Sequence, residues 1–229
     1  MKQGFVKVAS ATPRIRVADP VYNAQVICEQ AKEAAEHGAK IVVFPELCIT
    51  GYTCNDLFLQ ELLLEKAKEA LLTIAEETGQ LETLFLVGLP VDKDGRLYNV
   101  AAVLYRGRIL GMIPKKNIPM YAEFYEGRHF TPGEETVTEY RLGKQVIPFG
   151  SNLLFRCEEL PELILGCELC EDLWVAEPPS TSHALMGATV IANLSASNET
   201  VSKDDYRTLL IKASSARLLC GYILSLIHI

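Results

Sequence analysis

Short runs of consecutive apolar residues constrain this chain more than any other feature. Lys40–Phe44 (KIVVF), Leu84–Gly88 (LFLVG) and Thr189–Leu194 (TVIANL) are too short for stable helices and are rich in β-branched residues. A strand apolar on both sides has to be covered on both faces. The chain must therefore supply layers above and below its strands. The intervening segments can do this. Val21, Ala24, Ile27, Cys28, Ala31, Ala34 and Ala35 recur at helical spacing between an Asp19-Pro20 start signal and Gly38. A second helix is predicted over Asp56–Thr78, ending at Gly79, and further helices within Pro178–Gly187 and over Asp204–Gly221. Asp94-Gly95 and Arg106-Gly107 are hairpin turns, so Leu97–Tyr105 and Arg108–Ile113 are expected to be antiparallel. Phe5–Ala11, Val146–Pro148, Asn152–Arg156 and Glu162–Cys167 complete the predicted strands. The expected architecture is α/β: one domain with two layered sheets and helices on their faces.

The chain has 229 residues, enough for one such domain. Its formal charge of −7 argues against a nucleic-acid partner, which calls for a basic footprint. MKQGFVKVAS lacks the apolar core of a secretory signal, and no run of about eighteen apolar residues is present to span a membrane. Seven cysteines scattered along the chain read as reduced thiols of a cytoplasmic protein. The last six residues, Leu224–Ile229 (LSLIHI), match the translation of a common sequencing-adapter read-through. The expectation is that the domain occupies residues 1–223, incomplete at its C-terminal end, with 224–229 excluded from fold reasoning; the other possibility is a genuine apolar terminal strand.

Three segments carry candidate chemistry. Glu46 follows the KIVVF strand, where open α/β sheets place their sites, and burial there raises a carboxyl toward general-base range; otherwise it is a surface turn residue. Cys170 follows the strand at 162–167 and is a candidate nucleophile or an inert buried thiol. Its neighbours Glu168, Glu171 and Asp172 all disfavour a thiolate, so a cation or base must come from elsewhere in the chain. Lys115 and Lys116, after the strand at 108–113, can supply the cation, or are two solvated loop lysines. Cys167 and Cys170 also form a C-x-x-C, but a zinc site needs four ligands. Cys48 and Cys54 have the wrong spacing, and His37, His129 and His183 stand singly. No glycine-rich phosphate loop occurs. Residues 114–136 form a long loop carrying Tyr121, Phe124, Tyr125 and Phe130, and loops of that length are usually functional or disordered.

Taken together, FPEL with Glu46, PKKNIP with Lys115 and CEDLW with Cys170 resemble the nitrilase, or carbon–nitrogen hydrolase, superfamily, whose catalytic Glu, Lys and Cys occur in that order. FPELCITGYTCNDLF (Phe44–Phe58), YAEFYEGRHF (Tyr121–Phe130), ANLSASNE (Ala192–Glu199) and SSARLLCGYI (Ser214–Ile223) resemble one branch, the glutaminase domains of glutamine-dependent NAD synthetases. The resemblance implies an α-β-β-α sandwich of two mixed sheets flanked by helices. It implies Glu46 as general base, Lys115 as oxyanion and thiolate partner, and Cys170 as nucleophile. Tyr121, Phe124, Glu171, Ser197 and Lys203 match positions around the glutamine pocket, and Glu126, grouped with them, matches a second acidic residue near the triad. It implies no cofactor or metal in this domain; ATP and magnesium belong to a second synthetase domain that this chain lacks. Its implied partners are glutamine, that missing domain, and further copies of the full enzyme in a homo-oligomer. A nitrilase-type amidase acting on another amide or carbamoyl compound fits the same triad.

Overall fold

The computed structural model describes residues 4–228. Strands β1 (Val8–Ser10), β2 (Ile41–Val43), β3 (Leu84–Lys93), β4 (Arg96–Tyr105), β5 (Arg108–Pro114), β6 (Thr138–Leu142) and β7 (Gln145–Phe149) build a seven-stranded sheet in the order β1-β2-β3-β4-β5-β7-β6. Strands β8 (Phe155–Arg156), β9 (Ile164–Leu169), β10 (Val190–Ser197) and β11 (Gly221–His228) build a four-stranded sheet in the order β11-β10-β9-β8. Both are mixed: β1, β2 and β3 run parallel while β3, β4 and β5 form a meander, and β9, β10 and β11 run parallel with β8 antiparallel at the edge.

The alternating faces of the strands explain the layering. Ile41, Val43, Leu86, Ala101, Val103 and Ile113 point inward and meet Leu165, Cys167, Leu169, Ala192, Leu194 and Ile223 from the other sheet. The opposite faces of the first sheet, with Val42, Val87, Leu89 and Ala102, pack on helices α1 (Pro20–Glu36) and α2 (Glu61–Glu77). Ile191 on the outer face of the second sheet packs with residues of α3 (Pro179–Leu185) and α4 (Lys203–Leu218). This is the expected α-β-β-α sandwich. Among the described residues no helix is long and apolar enough to cross a membrane.

Local signals account for most boundaries. The Asp19 carboxylate accepts from the Tyr22 N–H to cap α1, with Pro20 at its first position. Asp94-Gly95 and Arg106-Gly107 all have positive φ, as two-residue primed hairpin turns require.

Three expectations change. Asp56–Thr78 is not one helix: a 3-10 segment, Tyr52–Leu59, breaks at extended Gln60 before α2 begins. The break lets Phe58 leave the helical line and meet Phe130 of the long loop edge-on at 5.0 Å. Thr138–Leu142 is a further strand, with no apolar run to announce it; Tyr140 and Leu142 are its buried positions, and it closes a hairpin with β7 through Gly143. The last helix stops at Leu218 because Leu219 turns left-handed, and Gly221 already belongs to β11. Residues 224–228 thus continue a strand beside β10, and Ile229 lies outside the described residues.

One glycine is dictated by close approach. The turn after β2 folds directly over Gly88 of β3, so that a Cβ there would lie 2.3 Å from the Leu47 nitrogen and 2.6 Å from the Pro45 oxygen. Gly88→Ala is expected to cost about 3 kcal/mol, the upper end of the usual range for overpacked cores, because backbone rather than a flexible side chain must give way. Urea unfolding measures this; an unchanged midpoint would show that the turn does not rest on β3 as described.

Candidate active site

Four chain segments end at the same edge of the two sheets and deliver the chemistry there. After β2, the turn Pro45–Thr50 places Glu46, and Leu47 takes a left-handed conformation (φ +50°) to make the reversal. The Ile49 N–H donates to the Gly88 carbonyl, and the buried Asn23 amide of α1 donates to the Ile49 carbonyl at 2.9 Å. Directly after β5 comes Lys115, whose N–H donates to the Asn99 carbonyl on β4. Cys170 follows β9 and opens a single 3-10 turn, Cys170–Leu173. Its φ of +39° is unusual for a side-chain-bearing residue and marks a strained elbow.

Glu46 and Lys115 are each fully buried. The Lys115 ammonium donates to Glu46 Oε1 at 2.7 Å and to Glu126 Oε1 at 2.6 Å. Glu126 comes from the short helical turn Glu126–Arg128 inside the long loop. Glu126 therefore lies in the charged cluster itself, hydrogen-bonded to Lys115, beside the expected triad and not only among the pocket positions. The Asn99 amide donates to both carboxylates, at 2.7 and 3.2 Å, and the Tyr52 hydroxyl donates to Glu126 at 2.8 Å.

The second sheet brings in Cys170. Ala196 of β10 uses both backbone groups: its N–H donates to Glu46 Oε2 at 2.9 Å and its carbonyl accepts from the Cys170 thiol at 3.2 Å. Thiol and carboxylate therefore meet on one residue of the strand. Lys116, by contrast, is half-exposed and paired with Glu135. Of the two lysines only Lys115 enters the cluster.

Burial dominates the electrostatics. It pushes Glu46 up to about 7, with Glu126 adding to the rise and Lys115 and Asn99 opposing it. Burial works against the Lys115 charge, but Glu46 and Glu126 together hold it well above the ordinary lysine value. Burial likewise raises the Cys170 thiol, Glu46 raises it further, and Lys115 only partly offsets this. One ammonium facing two carboxylates cannot by itself hold a thiolate. The arrangement instead pairs a neutral thiol with a carboxyl poised near neutrality, which suits coupled proton transfer during attack.

The remaining predicted residues gather around this centre. The Tyr121 hydroxyl donates to Glu171 at 2.8 Å, and the Tyr121 ring meets Phe124 edge-on at 5.5 Å. The Lys203 ammonium lies 5.5 Å from the rings of both Phe124 and Trp174 and donates to the Asn198 side chain. Buried Ser197 follows Ala196 on β10. A cavity of about 400 Å³ opens beside Glu126, between Tyr52, Phe58, Tyr125, Phe130 and Asn198. Of the predicted pocket positions only Glu126 lies on its wall.

Several residues that support the cluster carry little local signal in the sequence. Asn99 interrupts an otherwise apolar strand, and a lone amide there was the available sign. Asp172 was counted only as an unfavourable charge near the thiol. In fact this buried carboxylate accepts from the Leu169 N–H at 3.0 Å and from both the backbone and side-chain N–H groups of Asn117 at 2.8 Å. It ties the Cys170 elbow to the loop that carries Lys115. The C-x-x-C cysteines part company: Cys167 packs between the sheets while Cys170 faces the cluster, and both are free thiols.

Comparison with known proteins agrees with the fold. The family model described as carbon-nitrogen hydrolase matches residues 7–220. The chain is 41% identical to the glutamine-dependent NAD(+) synthetase of Mycobacterium tuberculosis over 97% of its own length, but spans 33% of that protein. With the corresponding synthetase of Thermotoga maritima it shares 34% identity over 89% of the chain and 32% of that protein. The chain thus spans about a third of the length of these curated relatives. Among solved structures, a glutamine-dependent NAD(+) synthetase from Cytophaga hutchinsonii superposes with a TM-score of 0.86 at 29% identity, over 97% of this chain and 36% of that one. An amidase from Nesterenkonia sp. AN1 shares the fold, with a TM-score of 0.74 at 19% identity over 98% of this chain and 78% of that one.

Replacing the buried cation tests the cluster. Lys115→Met leaves two buried carboxylates unpaired and is expected to cost about 3–5 kcal/mol at pH 8. A carboxyl raised in the folded state contributes its full stability below its unfolded value and loses it as pH rises through the folded one. The variant should therefore recover stability as pH falls from about 8 to about 5, with urea midpoints converging on the parent's. A constant difference between the two proteins across that range would contradict the buried ion cluster.

Proposed function

Because the chain belongs to the carbon–nitrogen hydrolase family, we propose that it is the glutaminase unit of a glutamine-dependent NAD synthetase, hydrolysing the side-chain amide of glutamine through a Cys170 thioester. The observation that carries this is the meeting of Glu46, Lys115 and Cys170 around one buried point, on the scaffold shared with the synthetases.

The chemistry follows from the geometry. The Cys170 thiol is neutral at rest, so its proton passes to Glu46 as sulfur attacks the amide carbon. The amide oxygen gains negative charge, and the Lys115 ammonium receives it. One such donor is typically worth about 3 kcal/mol in the transition state. Glu46 returns its proton to the leaving nitrogen, the C–N bond breaks, and ammonia departs from a thioester. Glu46 then takes a proton from water, whose oxygen attacks the thioester carbon; the C–S bond breaks, glutamate leaves, and Glu46 returns the proton to sulfur, restoring the thiol. Glu126 shares Lys115 with Glu46 throughout and fixes the ammonium between them. Tyr121, Phe124, Glu171, Ser197 and Lys203 would hold the amino-acid end of glutamine, with Tyr121–Glu171 and Lys203–Phe124 as the pairs that shape it.

In this reading the ammonia serves a synthetase domain beyond this chain, which uses ATP and magnesium to convert nicotinic acid adenine dinucleotide to NAD in the cytoplasm. The relatives' length, about three times that of this chain, supports a further domain of that kind.

Cys170→Ala is expected to abolish ammonia release from glutamine and leave the thermal midpoint close to the parent's. Retained hydrolysis would end the nucleophile assignment. Release from glutamine but not from simple aliphatic amides or carbamoyl compounds separates a glutaminase from a general amidase. The rate should rise with pH through about 7 as Glu46 loses its proton, since only the carboxylate can accept one. A Glu46→Gln variant should lose both the rate and this limb. A wild-type profile flat between pH 5.5 and 8.5 would argue against Glu46 as the base.

A further inference from the structure

The backbone of Cys170 is held from behind, on the side away from the charged cluster. Its N–H donates to Asn193 Oδ1 at 3.1 Å. Asn193 stands on β10 directly opposite Glu168 of β9 and is fully buried on the outer face of the second sheet. An amide side chain can present either oxygen or nitrogen to a neighbour, and a flipped Asn193 would offer a donor to a donor. The structure contains what prevents the flip. The Ser195 hydroxyl donates to the same Oδ1 at 2.8 Å, and the Asn193 amide nitrogen donates to the Tyr222 hydroxyl at 3.1 Å. The Tyr222 hydroxyl in turn donates to Glu168 Oε1, and Glu168 Oε2 accepts from the Ser180 N–H at 2.9 Å. With the carboxylate committed as acceptor at the far end, every donor direction along the chain is fixed.

We propose that Asn193 is a positioning residue for Cys170, and that Tyr222 and Glu168 set its orientation. It holds the peptide of the strained elbow, at φ +39°, so that the thiol aims at the Ala196 carbonyl and the Glu46 carboxylate. Asp172 holds the same elbow through the preceding N–H, that of Leu169. Two consecutive N–H groups are thus tied to different side chains, and the left-handed residue lies at the second of them. A left-handed φ with a side chain persists only when its surroundings over-determine it. This inference rests on Cys170 being the nucleophile, but its geometric part concerns the thiol alone.

The test uses the full chain with Asn193→Leu, which keeps the volume and removes the acceptor, Asn193→Asp, which restores an acceptor, and Tyr222→Phe, which removes one hydroxyl. Glutamine hydrolysis and the rate of Cys170 alkylation by iodoacetamide, mapped by mass spectrometry, are measured beside the thermal midpoint. Asn193→Leu is expected to lower kcat about a hundredfold and Tyr222→Phe about tenfold, with KM for glutamine within about twofold of the parent. Asn193→Asp should recover part of the loss. Alkylation of Cys170 should slow in the same order, because the thiol no longer meets its base. Should Asn193→Leu fail to fold, Tyr222→Phe still decides the matter. Folded variants with the parent's kcat and alkylation rate would overturn the proposal, as would a rise in KM that accounts for the whole loss. Alkylation reports on the elbow even if Cys170→Ala keeps glutamine hydrolysis, which would refute the nucleophile reading separately.

Discussion

A single ammonium ion buried between two carboxylates organises this end of the molecule. Moving charges out of water is costly, and the cost is recovered only where geometry and further hydrogen bonds are good. Lys115 meets Glu46 and Glu126 at 2.7 and 2.6 Å; Asn99 and Tyr52 donate to those same two oxygens, and the Ala196 N–H and Asn99 take the remaining oxygen of Glu46 and of Glu126. These groups come from β4, β5, β10, the turn after β2 and two loops, so the cluster forms only when all of them are in register. Its electrostatics favour the proposed chemistry: burial and an excess of negative charge push both the Cys170 thiol and the Glu46 carboxyl up, the pairing that proton transfer from sulfur to Glu46 would use.

The sandwich exists, in effect, to hold sheet ends at fixed separation. Glu46 leaves the first sheet and Cys170 the second, and the inter-sheet core of Val43, Leu86, Ala101, Leu169 and Leu194 sets the distance between them. Small adjustments then finish the site. Gly88 permits the Glu46 turn to sit on β3, and Asp172 joins the Cys170 elbow to the loop bearing Lys115.

What the sequence disclosed varied with the range of the forces involved. Helix α1, both glycine-containing hairpins and the doubly buried strands were legible because capping, left-handed turns and apolar runs are local. The break at Gln60 was not, since the apolar spacing runs through it and only the distant Phe130 explains why Phe58 turns away. Glu46, Lys115 and Cys170 were visible as strand-end residues, yet their convergence rested on family resemblance. Choosing Lys115 over Lys116 also needed that resemblance, as adjacent lysines differ only in which way the chain faces after Pro114. Asn99 and Asp172 were missed for one reason: their partners lie 53 and 55 residues away.

Ala196 shows where such a site is robust and where it is fragile. Glu46 and Cys170 are aligned by its peptide groups, not by its methyl. Exchanging the side chain for another small one leaves the yardstick between acid and sulfur intact, so point mutation has little purchase on it. Anything that slides or twists β10 by a fraction of an ångström moves both ends of that yardstick at once. Under the proposed chemistry, the position of this strand, more than the side chain at residue 196, governs how acid and sulfur meet.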